Sequence, residues 1–159
     1  MSSTKKLIIP IGVSGSGKST FIDKQYKEYQ IVCLDDIRRS FGNIYNIRTE
    51  PLIRSIGEIM VRAYMERGRS IVIDSTNTTE GIILKYLKLA KEYEYKTTCI
   101  KFTTPLDICI QRKLGTNKLT REVFERQFKQ ISELKDLFLV ESFDDVILVD
   151  KDNYIQKVQ

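Results

Sequence analysis

One stretch constrains this chain more than any other: Gly12-Val13-Ser14-Gly15-Ser16-Gly17-Lys18-Ser19-Thr20, set directly after the apolar run Leu7-Ile8-Ile9-Pro10-Ile11. It fits the pattern G-x-x-x-x-G-K-[ST]. Its glycines let backbone N–H groups turn inward around phosphate oxygens, and a helix beginning just behind the loop adds its positive end. Phe21-Ile22-Asp23-Lys24-Gln25-Tyr26 reads as that helix. A strand, a loop and a helix in this order commit the chain to a sheet flanked by helices. Gly12, Ser14, Gly15, Ser16, Gly17, Lys18, Ser19 and Thr20 are the residues expected to hold ATP. Lys18 would reach the β- and γ-phosphates, and the Ser19 hydroxyl would take one position on Mg²⁺.

The rest of the chain agrees. Strand-like runs at Lys6–Ile11, Gln30–Leu34, Ser70–Asp74, Lys96–Phe102 and Asp145–Val149 alternate with helical patterns. Such alternation predicts an α/β fold with a mainly parallel five-stranded sheet and helices on both faces. Leu52, Ile53, Ile56, Ile59, Met60, Ala63 and Tyr64 recur at helical spacing after Thr49-Glu50-Pro51, a good helix start. Ile83, Leu84, Leu87 and Ala90 mark another helix. Phe124, Phe128, Ile131, Leu134 and Phe138 mark a long late one, and Thr104-Pro105 is expected to cap a short helix before it. With no internal repeat and no proline- or glycine-rich linker, one domain over 1–159 is the simplest organisation.

Composition narrows the chemistry. The 159 residues include no histidine, which removes the commonest general base and metal ligand and leaves acid–base work to carboxylates. The three cysteines, Cys33, Cys99 and Cys109, are dispersed in apolar stretches, so reduced thiols and a cytoplasmic setting are expected. A formal charge of +5 favours an anionic partner. No stretch approaches the ~20 apolar residues that cross a bilayer, so no membrane partner is expected.

Two polar clusters follow strands, where ligands of open α/β sheets bind. The first is Asp35-Asp36-Ile37-Arg38-Arg39. An aspartate there can accept a proton from an attacking hydroxyl, and Arg38 can hold a phosphate of the acceptor; the alternative is a charged helix start. The second is Asp74-Ser75-Thr76-Asn77. Asp74 would hold Mg²⁺ or orient the acceptor-side loop, and capping of the next helix is the alternative.

With these three motifs the chain resembles the polynucleotide 5′-kinase family, whose members move the γ-phosphate of ATP onto a 5′-hydroxyl of DNA or RNA. The resemblance implies a phosphate-loop kinase-like three-layer sandwich with a short lid over about 112–119. It also implies Asp35 as general base, Arg38 on the acceptor phosphate, and Asp74, Thr76 and Asn77 on the acceptor side. Weaker similarity continues through Thr104-Pro105 to Arg112 and the late helix. The lid departs from the family pattern: Arg112-Lys113-Leu114-Gly115-Thr116-Asn117-Lys118 offers one arginine where relatives carry more. Arg112 would clamp the triphosphate. Lys113 and Lys118 are point charges that cannot repeat a bidentate grip.

Many relatives also carry a phosphatase domain. Val149-Asp150-Lys151-Asp152 faintly echoes its opening, but a last strand and its turn is the expected reading. Arg38 to Arg48 interleaves three arginines with Phe41 and Tyr45, as a single-stranded nucleic acid requires; packing of Phe41, Ile44 and Ile47 on the core is the alternative. The rival functions are a kinase of nucleosides, nucleotides or metabolites, a kinase of a hydroxymethylated base in DNA, and a non-catalytic nucleotide-binding module.

Overall fold

The computed structural model describes residues 4–42, 46–116 and 119–159. In chain order the elements are β1 (Lys6–Ile11), α1 (Lys18–Gln25), β2 (Gln30–Cys33), α2 (Leu34–Ser40), α3 (Glu50–Glu66), β3 (Ile71–Asp74) and α4 (Glu80–Glu92). They continue as β4 (Lys96–Phe102), α5 (Leu106–Lys113), α6 (Arg121–Glu133), α7 (Asp136–Ser142), β5 (Asp145–Val149) and β6 (Ile155–Lys157). The strands form one sheet in the order β2-β3-β1-β4-β5-β6, and the first five run parallel.

Alternation along β1 sorts its side chains to opposite faces. Leu7, Ile9 and Ile11 enter the larger core, with Val61 and Met65 of α3, Ile83 and Leu89 of α4, Cys109 of α5, Phe124 of α6 and Leu139 of α7. Ile8 enters the other core, with Phe21 and Ile22 of α1. The result is the expected three-layer sandwich. Leu34 and Ile37 of α2 pack on Ile53 of α3 in a third cluster. Gly57 permits that approach, because a Cβ there would stand 2.7 Å from Leu34 Cδ2.

The sheet has one strand more than expected. β6 pairs antiparallel with β5, with Ile147 opposite Lys157 and Val149 opposite Ile155. All three β6 residues are exposed, so no apolar pattern announces the strand. The turn makes it: Asp150 Oδ1 accepts from the Asp152 and Tyr154 N–H groups, both at 2.9 Å, and Asn153 adopts φ 62°. Val149-Asp150-Lys151-Asp152 is thus a strand end and its turn.

Three further expectations change. β2 ends at Cys33 and Leu34 opens α2 with no intervening loop, so the sheet delivers α2 directly to its carboxyl edge. The long late helix is two helices, because Leu134 and Lys135 are extended (ψ 110° and 136°). The apolar spacing runs unbroken across the break, since Ile131, Leu134 and Leu139 all enter the same core. Thr104 does not cap α5; Pro105 is the N-cap residue, and the Thr104 hydroxyl is engaged elsewhere. Among the described residues no helix is long and apolar enough to cross a membrane.

Candidate active site

The loop between β1 and α1 is organised by polarity, with its carbonyls held by the protein. Lys18 Nζ donates to Gly12 O (2.8 Å) and Val13 O (2.9 Å), Arg112 Nη1 to Gly15 O (3.2 Å), and Thr104 Oγ1 to Ser16 O (2.8 Å). Three loop N–H groups also have internal acceptors: Gly12 on Thr76 O, Ser14 on Gln127 Oε1 and Ser16 on Val13 O. No side chain caps the first turn of α1 among the described residues. Its orphan N–H groups are the donors that such a loop presents to an anion. Gly15 (φ +82°) is required twice over, by its left-handed backbone and by a Cβ that would lie 2.6 Å from Cys109 O. α5 therefore rests directly on the crest of the loop.

Lys18 is buried, and that burial lowers its pKa from 10.5 to about 8, against the opposing pull of Asp74. Ser19 Oγ donates to Asp74 Oδ2 at 2.9 Å, so the end of β3 faces the start of α1. Burial raises the Asp74 pKa, while the Ser19 hydrogen bond and Lys18 oppose the rise. Thr20 is exposed on the first turn.

On the acceptor side, α2 places Asp35 and Arg38 one turn apart in an ion pair, and Asp36 pairs likewise with Arg39. Sequence reasoning missed the residue that fixes Arg38. Glu50, buried in the first turn of α3, accepts from Arg38 Nε at 2.7 Å and from Nη2 at 3.0 Å. That fork is the main reason the Arg38 pKa is raised, against the opposing cost of burial. In the sequence Glu50 reads only as an acid at a helix start, so nothing marked it as an arginine's partner.

Asn77, expected among the acceptor-binding residues, is instead a buried brace. Its Nδ2 donates to Pro10 O (2.7 Å), Ile73 O (3.1 Å) and Ser75 O (3.2 Å). The β1–β3 pairing is Leu7 with Ile71 and Ile8 with Val72. Beyond it the Asn77 amide takes over from the ladder, and its Oδ1 is left as a buried acceptor without a partner among the described residues. Thr76 is half-buried, and its carbonyl receives the Gly12 N–H.

Phe41 is 48% exposed and Ile47 75%, so neither packs on the core. Asn43, Ile44 and Tyr45 of that segment, and Asn117 and Lys118 of the lid, lie outside the described residues. Lys113 touches the loop, its Cγ standing 3.0 Å from where a Gly15 Cβ would be.

Two glutamines on α6 also escaped sequence reasoning. Gln127 lies on the buried face with Phe124 and Ile131 and accepts the Ser14 N–H at 2.9 Å. Gln130 accepts the Thr78 hydroxyl at 2.6 Å. A polar residue at helical spacing between two core residues was the available signal.

Comparison with known proteins agrees with this architecture. The AAA_33 family, described as an AAA domain, matches residues 7–138. An L-seryl-tRNA(Sec) kinase of Methanococcus maripaludis is 26% identical over 132 residues, 78% of this chain and 51% of the relative. A provisionally named bifunctional polynucleotide kinase/RNA ligase of Autographa californica nuclear polyhedrosis virus is 22% identical over 152 residues, 84% of this chain and 22% of that protein. The solved Pnkp1/Rnl/Hen1 RNA repair complex superposes with a TM-score of 0.73 at 22% identity, covering 91% of this chain and 48% of that one. The chain thus spans about half or less of the length of these relatives. The matched span, the phosphate loop and the sheet order make this chain a member of the AAA_33 family, a phosphate-loop kinase domain for which ATP use is implied.

Proposed function

We propose that the protein transfers the γ-phosphate of ATP to the 5′-hydroxyl of DNA or RNA. One observation carries the reading: the Asp35–Arg38 pair on α2 combines a proton acceptor with an anion-gripping guanidinium at the sheet edge that holds the phosphate loop. An acceptor that brings a hydroxyl beside a phosphate matches both groups. Arg39, Phe41 and Arg48, all exposed, add charge and a flat apolar surface in the segment that follows Arg38. The similarity to a protein named for polynucleotide kinase activity and to a chain of an RNA repair complex supports the same class of acceptor.

In this mechanism Asp35 takes the proton of the attacking hydroxyl as its oxygen bonds to Pγ, and the Pγ–O bond to ADP breaks. Lys18 leaves the Gly12 and Val13 carbonyls for the phosphates, and Arg112 lies over the same loop. The donor set suits Mg²⁺. Among the described residues no cluster of three acids or thiols forms a protein cage, and Ser19 and Asp74 would hold the ion with one hydroxyl and one carboxylate, the hard oxygen donors that suit Mg²⁺. Bound there, the ion neutralises charge on the triphosphate.

The seryl-tRNA kinase relative favours a second reading, a hydroxyl carried by the aminoacyl end of an RNA. Labelled γ-phosphate from ATP, offered to 5′-hydroxyl DNA and RNA oligonucleotides, a seryl-charged RNA and free nucleosides, separates the readings. Oligonucleotides should outcompete nucleosides, with an apparent affinity that falls as salt rises. Arg38→Ala should weaken that affinity, flatten its salt dependence and leave ATP untouched. Equal turnover of phosphate-free nucleosides, indifferent to Arg38→Ala, refutes the proposal in favour of a small-molecule kinase.

A further inference from the structure

We infer that Gln127 of α6 is a positioning residue for the nucleotide donor, setting the crest of the phosphate loop through the Ser14 N–H. The residue lies 113 positions from Ser14 and is itself buried, and its Oε1 stands 2.9 Å from the Ser14 nitrogen. The oxygen is a fixed point in the fold, because Phe124 and Ile131, on the same face of α6, are core residues.

The crest needs such a point. Gly15 turns it with φ +82°, glycine has wide backbone freedom, and among the described residues the Gly15 carbonyl accepts only from the exposed Arg112 side chain. Of the crest residues Val13, Ser14 and Gly15, Ser14 alone has its N–H engaged by a buried side chain among the described residues. Removing that acceptor leaves a partly buried donor unmade and lets the turn adopt other conformations, which ATP binding must then reverse. Gln130, one turn further along α6, accepts the Thr78 hydroxyl behind β3. It provides a control on the same helix whose hydrogen bond goes to Thr78 and not to the loop. The inference concerns the donor alone and holds for any acceptor.

Gln127→Leu, Gln127→Glu and Gln130→Leu are compared with wild type in ATP affinity by calorimetry and in melting temperature without nucleotide. Gln127→Leu should weaken ATP about tenfold with a melting temperature within a few degrees of wild type, as the loss of one oriented hydrogen bond implies. Gln130→Leu should leave ATP affinity unchanged. Gln127→Glu keeps the accepting oxygen but adds charge beside the triphosphate, so it should bind ATP weakly at low salt and regain affinity as salt screens the repulsion. Gln127→Glu also decides the matter should Gln127→Leu fail to fold: wild-type affinity in low salt would overturn the inference. So would a Gln127→Leu protein that loses thermal stability yet binds ATP as wild type does.

Discussion

Lys18 titrates in an accessible range only because the fold buries it, and that makes its role measurable without any acceptor. Its pKa stands at about 8 in the folded protein against 10.5 when solvated, with desolvation the leading cause. Below pH 8 both folded and unfolded chains carry the proton, and the folded state bears the full cost of a buried cation. Between pH 8 and 10.5 the folded amine is neutral while the unfolded one is still charged. The unfolded state then binds more protons, so stability rises with pH across this window and levels off above it. The gap corresponds to about 3 kcal/mol. For a chain of this size that is roughly 6–12 °C in melting temperature.

Melting curves of wild type and Lys18→Met at pH 7 to 10.5 isolate the contribution, because the other titrating groups are common to both. Wild type should gain on the variant by that amount. Above pH 8 ATP must also bring a proton to Lys18, so its affinity should fall by up to about tenfold per pH unit in wild type and not in Lys18→Met. Parallel melting curves would show that the amine is not desolvated in the loop and would refute the reasoning.

Two further substitutions probe the other ends of the site. Asp35→Asn should lower kcat by roughly 10²–10⁴ while ATP binding survives, and Asp36→Asn should stay within a few-fold of wild type; an inverted result in the transfer assay moves the base by one position. Gly15→Ala imposes a side chain at positive φ and drives it into Cys109 O, so it should cost about 2 kcal/mol or more in urea unfolding and abolish ATP binding. An unchanged midpoint would mean that α5 does not rest on the loop.

The donor half of the molecule was legible because its chemistry is local. The run from Gly12 to Thr20 needs a preceding strand and a following helix, and both lie next to it in the chain. The parallel strands were equally readable from apolar runs such as Ile71-Val72-Ile73. What escaped depends on partners distant in sequence. Glu50 becomes intelligible only once α2 and α3 pack and bring Arg38 to it, and Gln127 only once α6 crosses the loop. Asn77 misled for the converse reason: a polar residue after a strand looks like a ligand until the interrupted β1–β3 ladder claims its amide. The break at Leu134 and the strand Ile155–Lys157 left no apolar signature at all.

The fork from Glu50 has a bearing on selectivity. Among the described residues three of the five N–H bonds of Arg38 are engaged, by Glu50 twice and Asp35 once, and the two carboxylates outnumber the guanidinium by one charge. Such a corner is no general trap for anions. Any anion, chloride and phosphate alike, meets net repulsion there and has to displace Asp35 to bind. On the proposed reading, an acceptor phosphate that draws the guanidinium from Asp35 would release that carboxylate to accept a proton. Recognition of the acceptor and arming of the base would then be a single exchange.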